Sequence, residues 1–313
     1  MNLHTRADAH PRPFLDKRFE VDVETDVTYG VGGVGYDPAT GASRYRPLKL
    51  DVYRPRGAGD APRPALIMAF GGAFLRGSKG AEVFAGENPS TAVAEYCHEF
   101  ARRGFVCFSI DYRLMQEAPD PGVTPTLLPG QPLNRDRIDY VRGLLGLPPS
   151  TPQMLADTLE AATDDMTLAI SFVRGRSQAF GVDCSRIAIG GFSAGAILAL
   201  NSAFAERAPV AAVVALSGRI APATLKTYVD PQASNPAALM MVGEKDLPAI
   251  LAGLDRLPQQ LTAAGIANQI VTIPGADHFY LRNASVPQPD GSSTDVETLM
   301  ANFLLRHLRL MAE

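Results

Sequence analysis

Hydrophobic positions along this chain fall into short unbroken runs, separated by longer stretches of helical spacing. ALIMAF (65–70), FVCFSID (105–111), RIAIG (186–190), AAVVAL (211–216), ALMMV (238–242) and QIVTI (269–273) are largely apolar runs of strand length. Such runs mark strands covered on both faces. Between and after them, 91–103, 152–180, 194–205, 247–264 and 295–310 read as helices. In 152–180 the residues Leu155, Leu159, Ala162, Met166, Ala169, Ile170 and Val173 are spaced for one face. Gly104 and Gly181 stop two of these helices. Earlier in the chain, 25–29 and 45–53 read as a first strand pair. The turn-rich GVGGVGYDPATGAS between them predicts a hairpin with a long loop. Strands alternating with helices predict an α/β protein whose central, mostly parallel sheet carries helices on both faces.

Two segments depart from that rhythm. Residues 1–20 are largely polar and Pro-rich at their start, which predicts an arm lying over the surface of a single domain, 21–313. Residues 114–152 are crowded with Pro and Gly around one apolar helix-like piece, 138–147. So much proline does not suit central strands, so this is a surface insertion after the fourth strand, cap-like or lid-like. The spaced glycines of 31–35 precede no helix pattern, which fails the context test for a dinucleotide fingerprint.

Composition narrows the function classes. The 313 residues are 46% hydrophobic and 20% charged, with a net charge of −4, as in a globular protein with a large core. No long basic stripe exists for nucleic acid. Arg135, Arg137 and Arg142 alternate with Asp136 and Asp139 and read as a solvated or salt-bridged surface. No apolar stretch is long enough for a membrane span. The N-terminus shows no secretory signal, although a trimmed signal leaves a periplasmic location open. Cys97, Cys107 and Cys184 fit neither a disulfide framework nor a metal spacing, and buried free thiols in a reducing cytoplasm are expected.

Candidate chemistry centres on Gly191-Phe192-Ser193-Ala194-Gly195, a G-x-S-x-G sequence. RIAIG leads into it as a strand and AILALNSAFAER leads out as a helix, the context in which such a serine becomes an exposed nucleophile. A serine N-cap on a glycine-rich turn is the plainer alternative. A serine hydroxyl needs a base, and the order serine, acid, histidine leaves His278 and His307 downstream. His278 in IPGADHFY follows a strand and falls where a base is needed, whereas His307 sits in a helix pattern. Asp246 in VGEKD is the candidate acid, with Glu244 its main competitor, Asp255 placed on a helix, and a helix N-cap the structural alternative for Asp246. FGGAF (70–74) follows a strand, so the amides of Gly72 and Ala73, with that of Ala194, can form a three-donor oxyanion hole. Phe74, Phe192, Phe279 and Tyr280 flank the site as pocket walls or as core.

FGGAFLRGS, SIDYRL and GGFSAGA, in that order, resemble the α/β-hydrolase carboxylesterases, within the esterase/lipase group of the hormone-sensitive-lipase-like and type-B branches. The resemblance spans roughly 45–310. It implies an α/β-hydrolase fold and a serine hydrolase that cleaves carboxylic esters through an acyl-enzyme, without metal or organic cofactor. Ser193, Asp246 and His278 would form the catalytic triad, with Gly72, Ala73 and Ala194 as oxyanion donors and Asp111–Leu114 as a structural buttress. Many members carry His where this chain has Phe70. Amidase, peptidase or polyester and polyamide hydrolysis uses the same triad, and a non-catalytic binding protein on this fold is the alternative of another class. The expected partner is a small-molecule ester, not nucleic acid or membrane, with a homodimer left open.

Overall fold

The computed structural model describes residues 12–80, 89–124, 126–128 and 133–310, so most of the expected arm lies outside the described residues. Strand β1 (Val21–Asp37) forms an antiparallel hairpin with β2 (Ala42–Pro55), and β2 pairs antiparallel with β4 (Val106–Ile110). The remaining strands run parallel: β3 (Arg63–Ala69), β5 (Val182–Phe192), β6 (Ala212–Leu216), β7 (Ala237–Gly243) and β8 (Asn268–Ile273). The order across the sheet is β1-β2-β4-β3-β5-β6-β7-β8. Every residue of β4, β6 and β7 is buried. Because successive side chains alternate between faces, both faces must be covered.

Helix α1 (Val93–Arg102) packs on β4 and β3, and α3 (Pro152–Gly175) packs on α5 (Ala194–Phe204), which lies along β5 and β6. The last helix, α9 (Val296–His307), packs on β6 and β7 and is capped by Asp295, whose carboxylate accepts the Thr298 amide at 2.7 Å. α3 starts equally cleanly, with Thr151 accepting the Met154 amide and Pro152 in the first turn.

Three expectations are corrected. The glycine-rich stretch expected as a long loop is strand, with only 38–41 left to turn. Its glycines serve packing: a Cβ at Gly30 would collide with Leu168, and one at Gly32 would lie 2.6 Å from Cδ of Arg113. The helix expected over 152–180 breaks at Arg176 and resumes as α4 (Ser177–Phe180). The helix expected over 247–264 is two short pieces, α7 (Pro248–Leu251) and α8 (Leu257–Ala263), parted around Gly253, whose φ of 77° a helix does not allow. Helix α6 (Pro222–Tyr228) and the small hairpin of β9 (Ser285–Pro287) and β10 (Ser293–Asp295) were not expected.

The insertion holds one 3-10 turn, Met115–Glu117, and helix α2 (Asp136–Leu144). Its middle hangs from α3 by backbone amides. Val123 donates to Asp164 at 2.6 Å, while Thr126 and Leu127 donate to Glu160 at 2.7 and 2.8 Å. Gly122 makes this approach feasible, since a Cβ there would lie 2.5 Å from the Glu160 backbone. Cys97 and Cys107 are buried free thiols as expected, but Cys184 is only half-buried.

Candidate active site

β5 ends at Phe192, α5 begins at Ala194, and Ser193 alone makes the turn with φ 52° and ψ −112°. A left-handed φ costs a non-glycine residue of order 1–3 kcal/mol, strain that the surrounding packing must hold in place. The Ser193 amide is fixed to the Leu216 carbonyl of β6 at 2.8 Å. Both flanking glycines are sterically required. A Cβ at Gly195 would collide with the Ala69 carbonyl, and one at Gly191 would lie 2.6 Å from that oxygen. Strand and helix cross here with no room for a side chain.

The loops after β7 and β8 bring the partners. His278 Nε2 lies 2.9 Å from Ser193 Oγ, and His278 Nδ1 lies 2.6 Å from Asp246 Oδ1. Asp246 has a side chain wholly closed to solvent and collects three further donors. The Leu247 amide reaches Oδ1 at 2.7 Å, while Ser217 Oγ and the Gly243 amide reach Oδ2 at 2.6 and 3.3 Å. Asp246 is no helix cap, because α7 begins only after Leu247. The competing carboxylates are elsewhere: Glu244 is exposed and accepts the Gly275 amide, and Asp255 is exposed beside Arg256. His307 lies on α9, its ring tilted against that of Phe303 with centroids 4.4 Å apart. Ser217 was missed from sequence, although a polar residue at the carboxyl end of the strand beside the nucleophile strand was the available signal.

The 70–74 loop is unusual in its backbone. Gly72, Ala73 and Phe74 have φ of 123°, 57° and 60°, so two non-glycine residues sit in the left-handed region. Such a run costs free energy and persists only where the surrounding contacts hold it. Neighbours hold it there. The Met115 amide donates to the Phe74 carbonyl at 2.8 Å, and Tyr112 Oη donates to the Phe70 carbonyl at 2.8 Å. Phe70, standing where many resembling proteins have His, stacks on Tyr112 with centroids 4.4 Å apart. Arg113 completes the buttress: its backbone amide and guanidinium both bond to Asp165, buried on α3. Burial outweighs the arginine beside it and pushes the Asp165 carboxyl up to about 6. Gly71 lies against the elbow, where a Cβ would stand 3.1 Å from that of Ser193.

Ser193, Ala73 and Ala194 open together onto a cavity of about 130 Å³. Its wall continues along α5 through Ile197 and is completed by Leu127, Leu133, Asn134, Arg137 and Ile138 of the insertion. Gly72 belongs to the same loop but not to the cavity wall. Of the four aromatic residues expected around the site, only Phe74 lines the cavity. Phe192 and Phe279 pack on His278, with centroids 5.4 and 5.0 Å from the imidazole. Tyr280 is buried, its hydroxyl donating to the Met241 carbonyl at 2.9 Å. These rings back the histidine. Of the arginines expected on a solvated or salt-bridged surface, Arg135 pairs with Asp139 at 3.7 Å, but Arg142 is buried and donates to the Pro148 carbonyl, and Arg137 lines the cavity. Among the described residues, no three His, Cys, Asp or Glu side chains gather as a metal site, and no helix is long and apolar enough to cross a membrane.

Comparison with known proteins follows this geometry. The Phospholipase/Carboxylesterase family model matches residues 153–273, which include Ser193 and Asp246. The BD-FAE family model matches residues 50–124, which include the 70–74 loop and its buttress. None of the curated proteins matches the chain. Among solved structures, Thermogutta terrifontis esterase 2 phosphoramylated by tabun is 17% identical, with 93% of this chain and 96% of that one covered and a TM-score of 0.60. The same esterase with propionate bound is 17% identical, with 94% and 96% covered and a TM-score of 0.56. A truncated carbohydrate esterase from gut microbiota is 17% identical, with 94% and 98% covered and a TM-score of 0.57. The chain has the α/β-hydrolase fold, and its likeness to the Phospholipase/Carboxylesterase family runs through the segment that carries Ser193 and Asp246.

Proposed function

We propose that the chain is a serine hydrolase that cleaves carboxylic esters through an acyl-enzyme intermediate. The observation that carries this is the unbroken hydrogen-bonded line from Ser193 Oγ through His278 to Asp246, 2.9 and 2.6 Å long, at the strained elbow. In the first half-reaction His278 Nε2 takes the hydroxyl proton as Oγ attacks the ester carbonyl carbon. The negative charge formed on the carbonyl oxygen meets the amides of Gly72, Ala73 and Ala194. The imidazolium returns its proton to the leaving alcohol. Water, deprotonated by the same nitrogen, then releases the acid and restores Ser193. Asp246 holds the Nδ1–H tautomer and faces the imidazolium charge.

Ester rather than amide chemistry is supported by the neighbours, which are named as esterases. Residues 114–152 act as a cap, since five of them line the cavity beside Ser193. Every group in this scheme belongs to one chain, so a homodimer is compatible with it but not needed. Three free cysteines support a cytoplasmic location. The test is a fluorophosphonate probe together with p-nitrophenyl esters from C2 to C16 and paired amides. Labelling should map to Ser193, and turnover should vanish in Ser193→Ala. Labelling elsewhere, or undiminished turnover in that variant, overturns the assignment.

A further inference from the structure

The cavity wall carries charge that the proposed hydrolysis of a simple ester does not use. Arg219, two residues after Ser217 on the loop leaving β6, lines the cavity that holds Ser193. No hydrogen bond, ion pair or ring partner reaches its side chain among the described residues. Arg219 is exposed, and the protein packed beside it lowers its pKa from the ordinary guanidinium value by partial desolvation. Its guanidinium is hydrated at the rim of the cavity and has no protein counter-ion among the described residues, so it is free to meet an anion that enters.

Two further observations point into the same space. Asn201 follows Ser193 and Ile197 at i+8 and i+4 on α5, so the three form one row along the cavity. At 1.5 Å per residue, Asn201 lies roughly 12 Å along the helix from the nucleophile. It is only 7% exposed, and its side-chain amide has no protein partner among the described residues. Because Asn201 lines the cavity, that amide is open to a ligand there. Among the described residues the wall contains no Asp or Glu, although the chain carries a net charge of −4. Arg137 adds a second positive charge from the cap, over the rings of Tyr140 and Phe279. The rest of the wall is largely apolar.

We propose that the cavity selects esters carrying a carboxylate on the group that fills it, bound by Arg219 with Asn201 as a neutral donor. A planar carboxylate matches the guanidinium fork. The apolar stretch past Ile197 fits the methylenes that separate the carboxylate from the ester. This deepens the esterase reading and rests on it, so the tests are chosen to fail separately.

The kinetic test pairs p-nitrophenyl hemiesters of adipate and pimelate with p-nitrophenyl hexanoate and heptanoate, placing the charge on the acyl side. A second pair, 4-acetoxybenzoate and 4-acetoxybenzamide, places it on the alcohol side. In the wild type the charged member of one pair should have the higher kcat/KM. That ratio should fall at least tenfold in Arg219→Gln, fall further in Arg219→Glu, and shrink with added salt. Hydrolysis of neutral esters with no charge preference in either pair, or a ratio unchanged in Arg219→Gln, overturns the carboxylate site and leaves the esterase reading standing. Binding gives a readout independent of turnover. Ser193→Ala should bind monomethyl adipate at least tenfold more tightly than dimethyl adipate by calorimetry, and adding Arg219→Gln should remove the difference. Equal affinities, or no binding of monomethyl adipate at millimolar concentration, overturn the site even if no ester is turned over. Thermal melting of each variant confirms that the fold is kept.

Discussion

Replacing Asp246 with Asn tests the site most sharply, because the four donors around the carboxylate dictate what the amide can do. Oδ1 accepts from the Leu247 amide and from His278 Nδ1, while Oδ2 accepts from Ser217 Oγ and the Gly243 amide. If the new oxygen takes the Oδ1 place, the histidine keeps its tautomer but loses the negative charge that faces the imidazolium. If the NH₂ takes that place, it confronts the Leu247 N–H and can donate only to Nδ1. The proton of His278 then moves to Nε2, and the base that should accept from Ser193 becomes a donor. In either orientation Ser217 can turn its hydroxyl to suit, so the packing survives. The expected loss is about 10⁴ in kcat, or about 5 kcal/mol of transition-state stabilisation. The assay is kcat for p-nitrophenyl acetate at pH 8 beside thermal unfolding of both proteins. A variant that melts with the wild type and keeps kcat within tenfold of it refutes the role of Asp246.

Two other outcomes follow from the packing and from a buried acid. Gly195→Ala places a methyl group against the Ala69 and Phe70 carbonyls, where backbone must move; the expected result is a destabilisation of about 3 kcal/mol, read by urea unfolding, together with loss of fluorophosphonate labelling. Burial, followed by the charges of Asp164 and Glu160, pushes Glu206 from 4.5 up to about 8. Its folded-state pKa is raised, so its contribution is fully present below pH 4.5 and is lost as pH climbs toward 8. Glu206→Gln keeps the neutral form. It should therefore be more stable than wild type at pH 9, by about 2 kcal/mol once solvent contact is discounted from the full linkage, and equal to it near pH 4. A gap that does not widen with pH contradicts the assignment.

Much of the site was legible in the sequence because its requirements are local. An apolar run, a G-x-S-x-G turn and a helix adjoin in the chain, and His278 and Asp246 each follow a recognisable strand. What escaped depends on contacts between distant residues. The glycines of β1 read as loop because the side chains that need their space, Arg113 and Leu168, lie far along the chain. Asp139 and Asp136 near Arg137 and Arg142 suggested a solvated face, yet only the fold reveals that one arginine turns into the cavity and the other into the core. Phe192 was placed in the pocket by its adjacency to Ser193, but the chain turns sharply between them and Phe192 packs on His278 instead. The single helix expected over 247–264 failed for a local reason that composition hid, a left-handed Gly253 and a Pro258 that starts a new helix.

The attachment of the 114–152 insertion to α3 has a consequence for how this protein can be altered. Val123, Thr126 and Leu127 are tied down through their backbone amides, which every residue except proline possesses. The anchor therefore reads chain geometry and not side-chain identity, apart from Gly122 where the two backbones touch. Residues of the strap and of the wall beyond it, Leu127 and Leu133 among them, can be exchanged while Glu160 and Asp164 go on holding the same loop. Such a strap is a replaceable part: the surface it turns to the cavity can be rewritten without rebuilding the anchor from which it hangs.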